Sequence, residues 1–490
     1  MWKPLLAFSF LLLNVTTIHA DSLSPMDFGL DLAHNGEERY EVLMKTHQTA
    51  ASQGVGVSYS GINRIELDVP SKAQSIPLSD FTDFAGVEIY VRNKQKNMVL
   101  FSLSNELQSI RVSKRRLHNG RFFLNRNLRR GTKLLVVIDK NLWVKQRRGY
   151  KNGATRKDII LIKDGKAENQ VISSYKSSMA IPEYFFSDVT DQQIIIKGLT
   201  FTRSYDSDHI TRLIELKNLN DVLIKDIVVN TPDNPVLYGE SAFYIENSTN
   251  VTFEDVTING TYSLKDKYGY GIGMNNVWNA RFERLKASGN WGVFGNNNVN
   301  LVHIEDSDIN RFDIHCYGKD VYCKNTIFRE LYNQFSSLFG TLRFENCKFL
   351  DFVPVLFEPS YSAYTHFVLE IEDCYISASS KKPYLISAGN PSLLSDEPRT
   401  ELSVVQWPDI RIECLEVDLP PDVDHWTLFS IKGEEGALVS GINNLSIDSL
   451  VINGGKKHSN VYFTNKRIAL EKALNVQVNE SNISIITGDE

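Results

Sequence analysis

Val222-Leu223-Ile224-Lys225-Asp226-Ile227-Val228-Val229 alternates apolar side chains, pauses for two polar residues, and alternates again. The same spacing, apolar-x-apolar-x-x-apolar-x-apolar, recurs at residues 194–201, 251–258, 280–287, 302–309, 321–328, 342–349, 369–376, 410–417 and 445–452. Most copies begin about 19 to 29 residues after the one before, the range of a solenoid rung. Alternation turns one side of a strand indoors. The pause holds pairs such as Glu254-Asp255, Glu305-Asp306, Lys324-Asn325, Glu345-Asn346 and Glu372-Asp373, which suit a corner. Strand, corner and strand, repeated with no helical period between, predict an all-β chain wound as a single parallel β-helix. Such a solenoid brings side chains from successive rungs onto one long face.

The chain has 490 residues, 53 basic against 59 acidic side chains and 42% hydrophobic residues, so a large globular core is expected. Met1-Trp2-Lys3 followed by a short apolar run and Ile18-His19-Ala20 reads as a signal peptide over residues 1–20, cleaved after Ala20. The run is too short for a good membrane span and no later segment could cross a bilayer, so a periplasmic or secreted, monomeric protein is expected. Cys316, Cys323, Cys347, Cys374 and Cys414 make an odd set without Cys-x-x-Cys spacing. They are expected to be free, buried and packed as small apolar residues, with no metal site.

Residues 35–52 read as an amphipathic helix with Tyr40, Val42, Leu43 and Ala50 on one face and an acidic first turn. Open rungs would leave unpaired backbone groups, and this helix is expected to cap them. Strand-like runs at 64–69, 86–92, 97–103 and 133–138 are less regular, and form either the first rungs or a small lobe. The expected division is a cap with irregular rungs over residues 21–190, the β-helix proper over 191–455, and a C-terminal end over 456–490. Residues 111–157 are strongly basic, with Asp139 the one acid and Phe122, Phe123, Trp143 and Tyr150 interleaved. An anionic polysaccharide suits such a surface, since Arg makes bidentate bonds to sulfate and carboxylate. A solvated basic loop without a ligand is the other reading. Nucleic acid is set aside, because an exported protein rarely meets it as substrate.

Short strands precede the corner-bearing ones, and residues 242–246, 270–274, 291–295, 313–317, 335–339 and 354–358 can be placed in register. Phe243, Ile245, Phe294, Ile314, Cys316, Leu338, Val355 and Phe357 share the inward parity. Tyr244, Glu246, Tyr270, Trp291, Asp313, His315, Tyr317 and Glu358 take the outward one. A slip of one residue would bury most of these charges. Entering turns add Tyr268, Asn290, Asn310, Arg311, Tyr332 and Asn333. With rungs about 4.8 Å apart, these groups form a continuous aromatic and ionisable strip. Aromatic faces suit sugar rings, and ionisable neighbours can move protons.

Two reactions fit. Elimination at a uronate needs a base for the C5 proton, an acid for the leaving oxygen and a partner for the carboxylate. His315 as base, Tyr317 or Tyr332 as acid, and Arg311 or Asn333 on the carboxylate meet that need. Trp291, Tyr270, Asn290, Glu358, Asp313 and Arg343 are the expected substrate contacts. Inverting hydrolysis needs two separated carboxylates, and Asp313 and Glu358, roughly 9.6 Å apart, are the outward pair. A third reading is a solenoid that binds glycan without cleaving it.

The rung pattern, the export signal and Arg311-Phe312-Asp313-Ile314-His315-Cys316-Tyr317-Gly318 resemble the right-handed β-helix polysaccharide-degrading enzymes of the pectate-lyase-like superfamily. The resemblance covers about residues 192–454. Its narrower form is to secreted glycosaminoglycan lyases of Bacteroidetes that act on chondroitin and dermatan sulfate. It implies eliminative cleavage of an acidic polysaccharide. Calcium-dependent members carry clusters of acids with Lys and Arg on the outer face. This sequence shows no such cluster, so a His/Tyr mechanism without a cofactor is expected.

Overall fold

The computed structural model describes residues 22–486 apart from 94–97, 114, 116, 118–119, 123–124, 145–153, 172–181, 204–209, 231–240, 260–262, 265–266, 269, 289–291, 330–331, 336–337, 358–365, 379–382, 389–404, 407–408, 424–425, 432–438, 441–443, 456–459, 465–474 and 482–483. The expected signal peptide therefore lies outside the described residues.

The first residues of all ten copies of the repeat stand side by side on neighbouring strands. Ile194 pairs with Val222, Val222 with Val251, Val251 with Ala280 and Ala280 with Val302. Val302, Val321, Leu342, Leu369, Ile410 and Leu445 continue the same parallel row. Each copy is one rung's width of sheet, and the chain is a parallel β-helix. Its right-handed sense is the one that parallel crossovers take.

Seven of the rungs turn a corner where an Asp, Asn or Arg sits in the left-handed region. Asp226, Asp255, Arg284, Asp306, Asn325, Asn346 and Asp373 all have φ between 50° and 54°. These are the second members of the polar pauses. Asn and Asp tolerate that backbone, which explains why the pauses carry them. Two more corner rows complete the rung. One runs Asn218, Asn247, Asn276 and Asn298, the other Asp221, Asn250, Asn279, Leu301 and Asp320, all with positive φ. Along the first of these rows Asn276 Nδ2 donates to Asn247 Oδ1 at 2.8 Å and Asn247 Nδ2 to Asn218 Oδ1 at 3.3 Å. These side-chain ladders satisfy amides that the corners bury.

The interior is a column of stacked apolar residues. Phe243, Ile245, Phe294, Ile314, Leu338 and Val355 are buried, as the alternation predicts. Phe253 stacks on Phe282 at 5.2 Å and Phe328 on Phe349 at 5.1 Å. Cys323, Cys347 and Cys374 are free and buried, whereas Cys414 is free and exposed, against the expectation for all five.

One helix, Gly36–Gln53, covers the N-terminal end. Asn35 Oδ1 accepts from the Glu38 N–H, and Gly54 closes the helix in the left-handed region. Tyr40, Leu43, Met44 and Ala50 face the core. His47, on the same inner face of the helix, is buried with Nε2 2.8 Å from the Tyr59 hydroxyl. Strands Ser22–Leu23, Gly56–Ser58, Arg64–Val69, Ile76–Pro77, Phe81–Asp83, Glu88–Asn93 and Met98–Ser104 belong to the same parallel sheet system as the later rungs. The sheet also runs past residue 456 through Asn460–Thr464, Asn475–Ser481 and Ser484–Ile486. Among the described residues no helix is long and apolar enough to cross a membrane.

A separate antiparallel sheet interrupts the solenoid. Its strands run in the order Lys166–Ala167, Ala154–Lys163, Thr132–Val144, Glu183–Asp188 and Gln108–Ile110. One face carries Leu134, Val136, Ile159 and Leu161, against which Trp278 of the solenoid packs. The other face carries Leu135, Val137, Ile160, Ile162, Tyr184 and Phe186, and is covered by Val112, Leu117, Phe122 and Leu128. The lobe docks on the asparagine corner row: Asn298 Oδ1 accepts from the Lys157 N–H at 3.0 Å, and Asn276 Nδ2 donates to the Asp158 carbonyl at 3.4 Å.

Candidate functional site

The strip begins with two tyrosines lying on glycines. Tyr244 pairs with Gly273 of the next rung, and a Cβ on Gly273 would meet the Tyr244 ring at 3.1 Å. Tyr270 pairs with Gly292, and its ring lies over Gly295, where an added Cβ would be 2.6 Å away. Only a residue without a side chain lets the ring lie this flat. Arg212 covers the other tyrosine, with its guanidinium carbon 3.5 Å from the Tyr244 ring centre.

The glycine ledge lets Tyr270 cross a whole rung. Its hydroxyl donates to Asp313 Oδ2 at 2.9 Å and lies 3.1 Å from His315 Nε2. His315 Nε2 and Asp313 Oδ2 are themselves 3.6 Å apart. Behind them Arg311 Nε donates to Asp313 Oδ1 at 2.7 Å, Nη1 to the Tyr332 hydroxyl at 3.2 Å, and Nη2 to Gln334 Oε1 at 2.8 Å. The Arg311 guanidinium also lies 4.3 Å from the Tyr332 ring centre. Six side chains from three rungs, reaching across a fourth that supplies only glycines, thus share one hydrogen-bonded cluster.

Burial divides this cluster into a floor and a rim. Asp313 is 0% exposed, Arg311 1% and His315 6%, while Tyr270 and Tyr332 are half-buried. The expectation that Asp313 and His315 stand on an open outer surface is therefore corrected: they lie beneath the tyrosines. Burial would push the Asp313 carboxyl up, but Arg311 and His315 outweigh it and hold it below the ordinary carboxylate value. Burial likewise works against the Arg311 charge, and Asp313, Tyr332 and Tyr270 more than restore it. The floor is a fixed negative charge with a matched positive one.

His315 owes its place to a β-bulge. Asn296 pairs with Ile314 and Asn297 with Cys316, so His315 is an extra residue in its strand. The bulge ends the simple alternation. By backbone register it sets Cys316, whose side chain lies outside what is described, opposite Asn297 in the row of Glu246 and Asn275. It puts Tyr317 at the asparagine corner with φ 59°. Tyr317 is 1% exposed, and its hydroxyl donates to Asp158 Oδ2 of the lobe at 3.2 Å. It is a docking residue for the lobe and not a member of the strip.

The remaining expected residues scatter. Tyr332 lies in the strand Tyr332–Phe335, not in a turn, and that strand sets Gln334, not Phe335, beside Asp313. Asn333 is fully buried and its Oδ1 accepts the Phe312 N–H at 3.2 Å, so it shapes the backbone under the cluster. Arg343 sits on another face, beside Tyr322 and Glu370, and pairs with Glu372. Asn290, Trp291 and Glu358 lie outside the described residues, and with Glu358 goes the expected carboxylate pair. Gln334, Gly292 and Gly295 were missed by sequence reasoning. One signal was countable: inward Phe243, Ile272 and Phe294 each precede their copy of the repeat by eight residues, whereas Phe312 precedes Val321 by nine. That extra residue is the bulge.

A shallow cavity of about 680 Å³ at the N-terminal end, lined in part by Met26, Arg39, Arg64 and Glu66, shares no residue with this cluster.

No protein-family model matches the chain, and no curated protein matches it. Among solved structures it is similar to the tailspike gp49 of Pseudomonas phage LKA1, at 12% identity and a TM-score of 0.44, over 95% of this chain and 82% of that one. It is similar to the gp54 tailspike of Acinetobacter baumannii phage AP22, solved with a capsular saccharide, at 10% identity and a TM-score of 0.49, over 94% and 79% of the two chains. A third likeness is to the catalytic domain of a GH87 α-1,3-glucanase, at 13% identity and a TM-score of 0.36, over 93% of this chain and 65% of that one.

Proposed function

We propose that this protein is an exported glycan-degrading β-helix that cleaves a uronate-containing acidic polysaccharide, of the glycosaminoglycan type, by β-elimination. The observation that carries the reading is the Tyr270 hydroxyl, within hydrogen-bonding distance of both His315 Nε2 and Asp313 Oδ2. A hydroxyl held between an imidazole and a carboxylate is equipped to receive and release protons. His315 Nε2 takes the C5 proton, and the carbon–oxygen bond to the leaving sugar breaks as the double bond forms. The Tyr270 hydroxyl gives its proton to the leaving oxygen and regains one from His315. The protons balance without an external donor. Asp313 stabilises the imidazolium that forms, as a buried carboxylate does beside a working histidine.

The uronate carboxylate falls to Tyr332 in this reading. Arg311 is too deeply engaged to reach a substrate, but its bond to the Tyr332 hydroxyl makes that hydroxyl a stronger donor. Arg311 and Gln334 are then positioning residues. Hydrolysis is the weaker reading, because Asp313 is fully buried with both oxygens already accepting hydrogen bonds.

Incubation with chondroitin sulfate, hyaluronan and pectate tests the proposal. Ultraviolet absorbance from an unsaturated uronate is expected on at least one of them, and is expected to vanish in Tyr270→Phe and His315→Gln. New reducing ends without that absorbance would establish hydrolysis instead. Binding without either product would make the solenoid a non-catalytic glycan binder.

A further inference from the structure

Lys157 at the end of the basic segment reaches Glu246 of the solenoid, but the described arginines at its start lie on the lobe. Val112, Leu117, Phe122 and Leu128 pack over the lobe's outer face on Leu135, Val137, Ile160 and Ile162. The opposite face of that sheet is the one that receives Trp278. A packed layer about 10 Å thick therefore separates the start of the segment from the solenoid. Arg111, Arg115, Arg121, Arg126, Arg129 and Arg130 are all exposed on it.

These arginines lack acidic company. Between Arg111 and Gly131 the chain carries eight basic residues and no acidic one. Among the described residues none of the six forms an ion pair, whereas Lys133, Arg156 and Lys157 of the same lobe are paired with Asp188, Asp139 and Glu246. Ion pairing in the lobe thus reaches these three residues and, among the described residues, leaves the six arginines outside it. In a chain with a net charge of −6, an unneutralised cluster of this size is a local reversal of sign.

We infer that the outer face of the lobe is a second binding surface, which holds a distant stretch of the acidic polysaccharide while the strip acts on another. The inference rests on the reading of the substrate as an acidic polysaccharide. Exposed guanidinium groups take sulfate and carboxylate oxygens in pairs, with no need for a formed pocket. Two contacts on one polymer raise the local concentration of chain at the strip, so long chains gain and short oligosaccharides do not.

The test uses the full-length protein on immobilised chondroitin sulfate. Retention is expected to fall steeply with salt. It is expected to weaken by about tenfold or more in the quadruple variant Arg121→Gln/Arg126→Gln/Arg129→Gln/Arg130→Gln. The matching Arg→Lys variant keeps the charge and should keep most of the binding, which controls for a folding defect. Equal retention by the Gln variant overturns the inference. So does displacement by DNA at far lower charge concentration than by chondroitin sulfate, which would assign the surface to nucleic acid. The two readings fail separately. Arginine-dependent retention with no unsaturated product would sink elimination and leave the surface standing. Cleavage of long chains with equal efficiency by both forms would do the reverse.

Discussion

Tyr270 and Asp313 stand two rungs apart, yet the hydroxyl of one lies 2.9 Å from the carboxylate of the other, because the ring passes flat over Gly295. The contact depends on a missing side chain. A methyl group at Gly295 would lie 2.6 to 2.8 Å from three ring atoms near the root of the tyrosine, so the ring must lift. Gly295→Ala is therefore expected to lower the rate of polysaccharide cleavage by about a hundredfold, the cost of misplacing a catalytic group by roughly 1 Å. The melting temperature should change little, since the ring moves toward solvent. A variant with wild-type kcat/KM would show that Tyr270 is not needed in its observed position.

Asp313 and Arg311 form a buried pair with a sign that pH can read. The carboxyl is held below its ordinary value of 3.8, chiefly by Arg311 acting against burial. Its folded pKa thus lies under its unfolded one, so the pair contributes stability above about pH 4 and loses it as pH falls through the folded value. Asp313→Asn leaves the Arg311 charge uncompensated at 1% exposure, which should cost about 3–5 kcal/mol at neutral pH. Denaturant midpoints measured from pH 7 to pH 3 check both parts. The variant should start lower and show a shallower acid decline. A neutral-pH loss under about 1 kcal/mol would contradict the buried-pair account.

Much of the fold was legible because its signals are local. Seven of the ten copies turn at an Asp, Asn or Arg in a left-handed corner, Gly198 takes that place in the first copy, and alternation on either side fixes the inward set. Helix Gly36–Gln53 announced itself through its apolar face and its acidic first turn. The lobe was ambiguous. Leu134 to Val137 is a continuous apolar run because both sheet faces are covered, and such a run does not say what covers them. The site was half legible. Arg311, Asp313, His315, Tyr270 and Tyr332 do converge, but Tyr317 was drawn in by assuming unbroken alternation across a bulge. The depth of the cluster was invisible, since it arises from Tyr270 folding over glycines of the next rung to reach a residue two rungs away.

Leu301 is an exception in its corner row. Asn250, Asn279 and Asp320 occupy the equivalent position on neighbouring rungs, and all have positive φ, as Leu301 does at 61°. A leucine gains nothing from that backbone, and the left-handed region costs an L-residue with a Cβ roughly 1–2 kcal/mol. Leu301 is not part of the buried core. Leu301→Asn is expected to raise stability by about 1 kcal/mol and to leave cleavage unchanged. A thermal midpoint equal to or below that of the wild type would mean that Leu301 packs more productively than its position suggests.

His47 makes the N-terminal cap sensitive to acid. It is fully buried on the inner face of the helix, and burial pushes its pKa down to about 3. In the unfolded chain the same imidazole takes a proton near its ordinary value of 6.5. The folded pKa is the lower, so the cap has its full stability above pH 6.5 and loses it progressively as pH falls toward 3. Protonation of the unfolded chain drives this loss, and each unit of pH in that window should cost about 1.4 kcal/mol. Replacing the imidazole removes the titration, although it also leaves the Tyr59 hydroxyl short of its 2.8 Å partner. His47→Leu should therefore be less stable at pH 7, with a flatter dependence between pH 6.5 and pH 4. Hydrogen exchange of the helix amides reports the cap alone. If wild type and variant lost protection in parallel over that range, the acid response would belong to other groups.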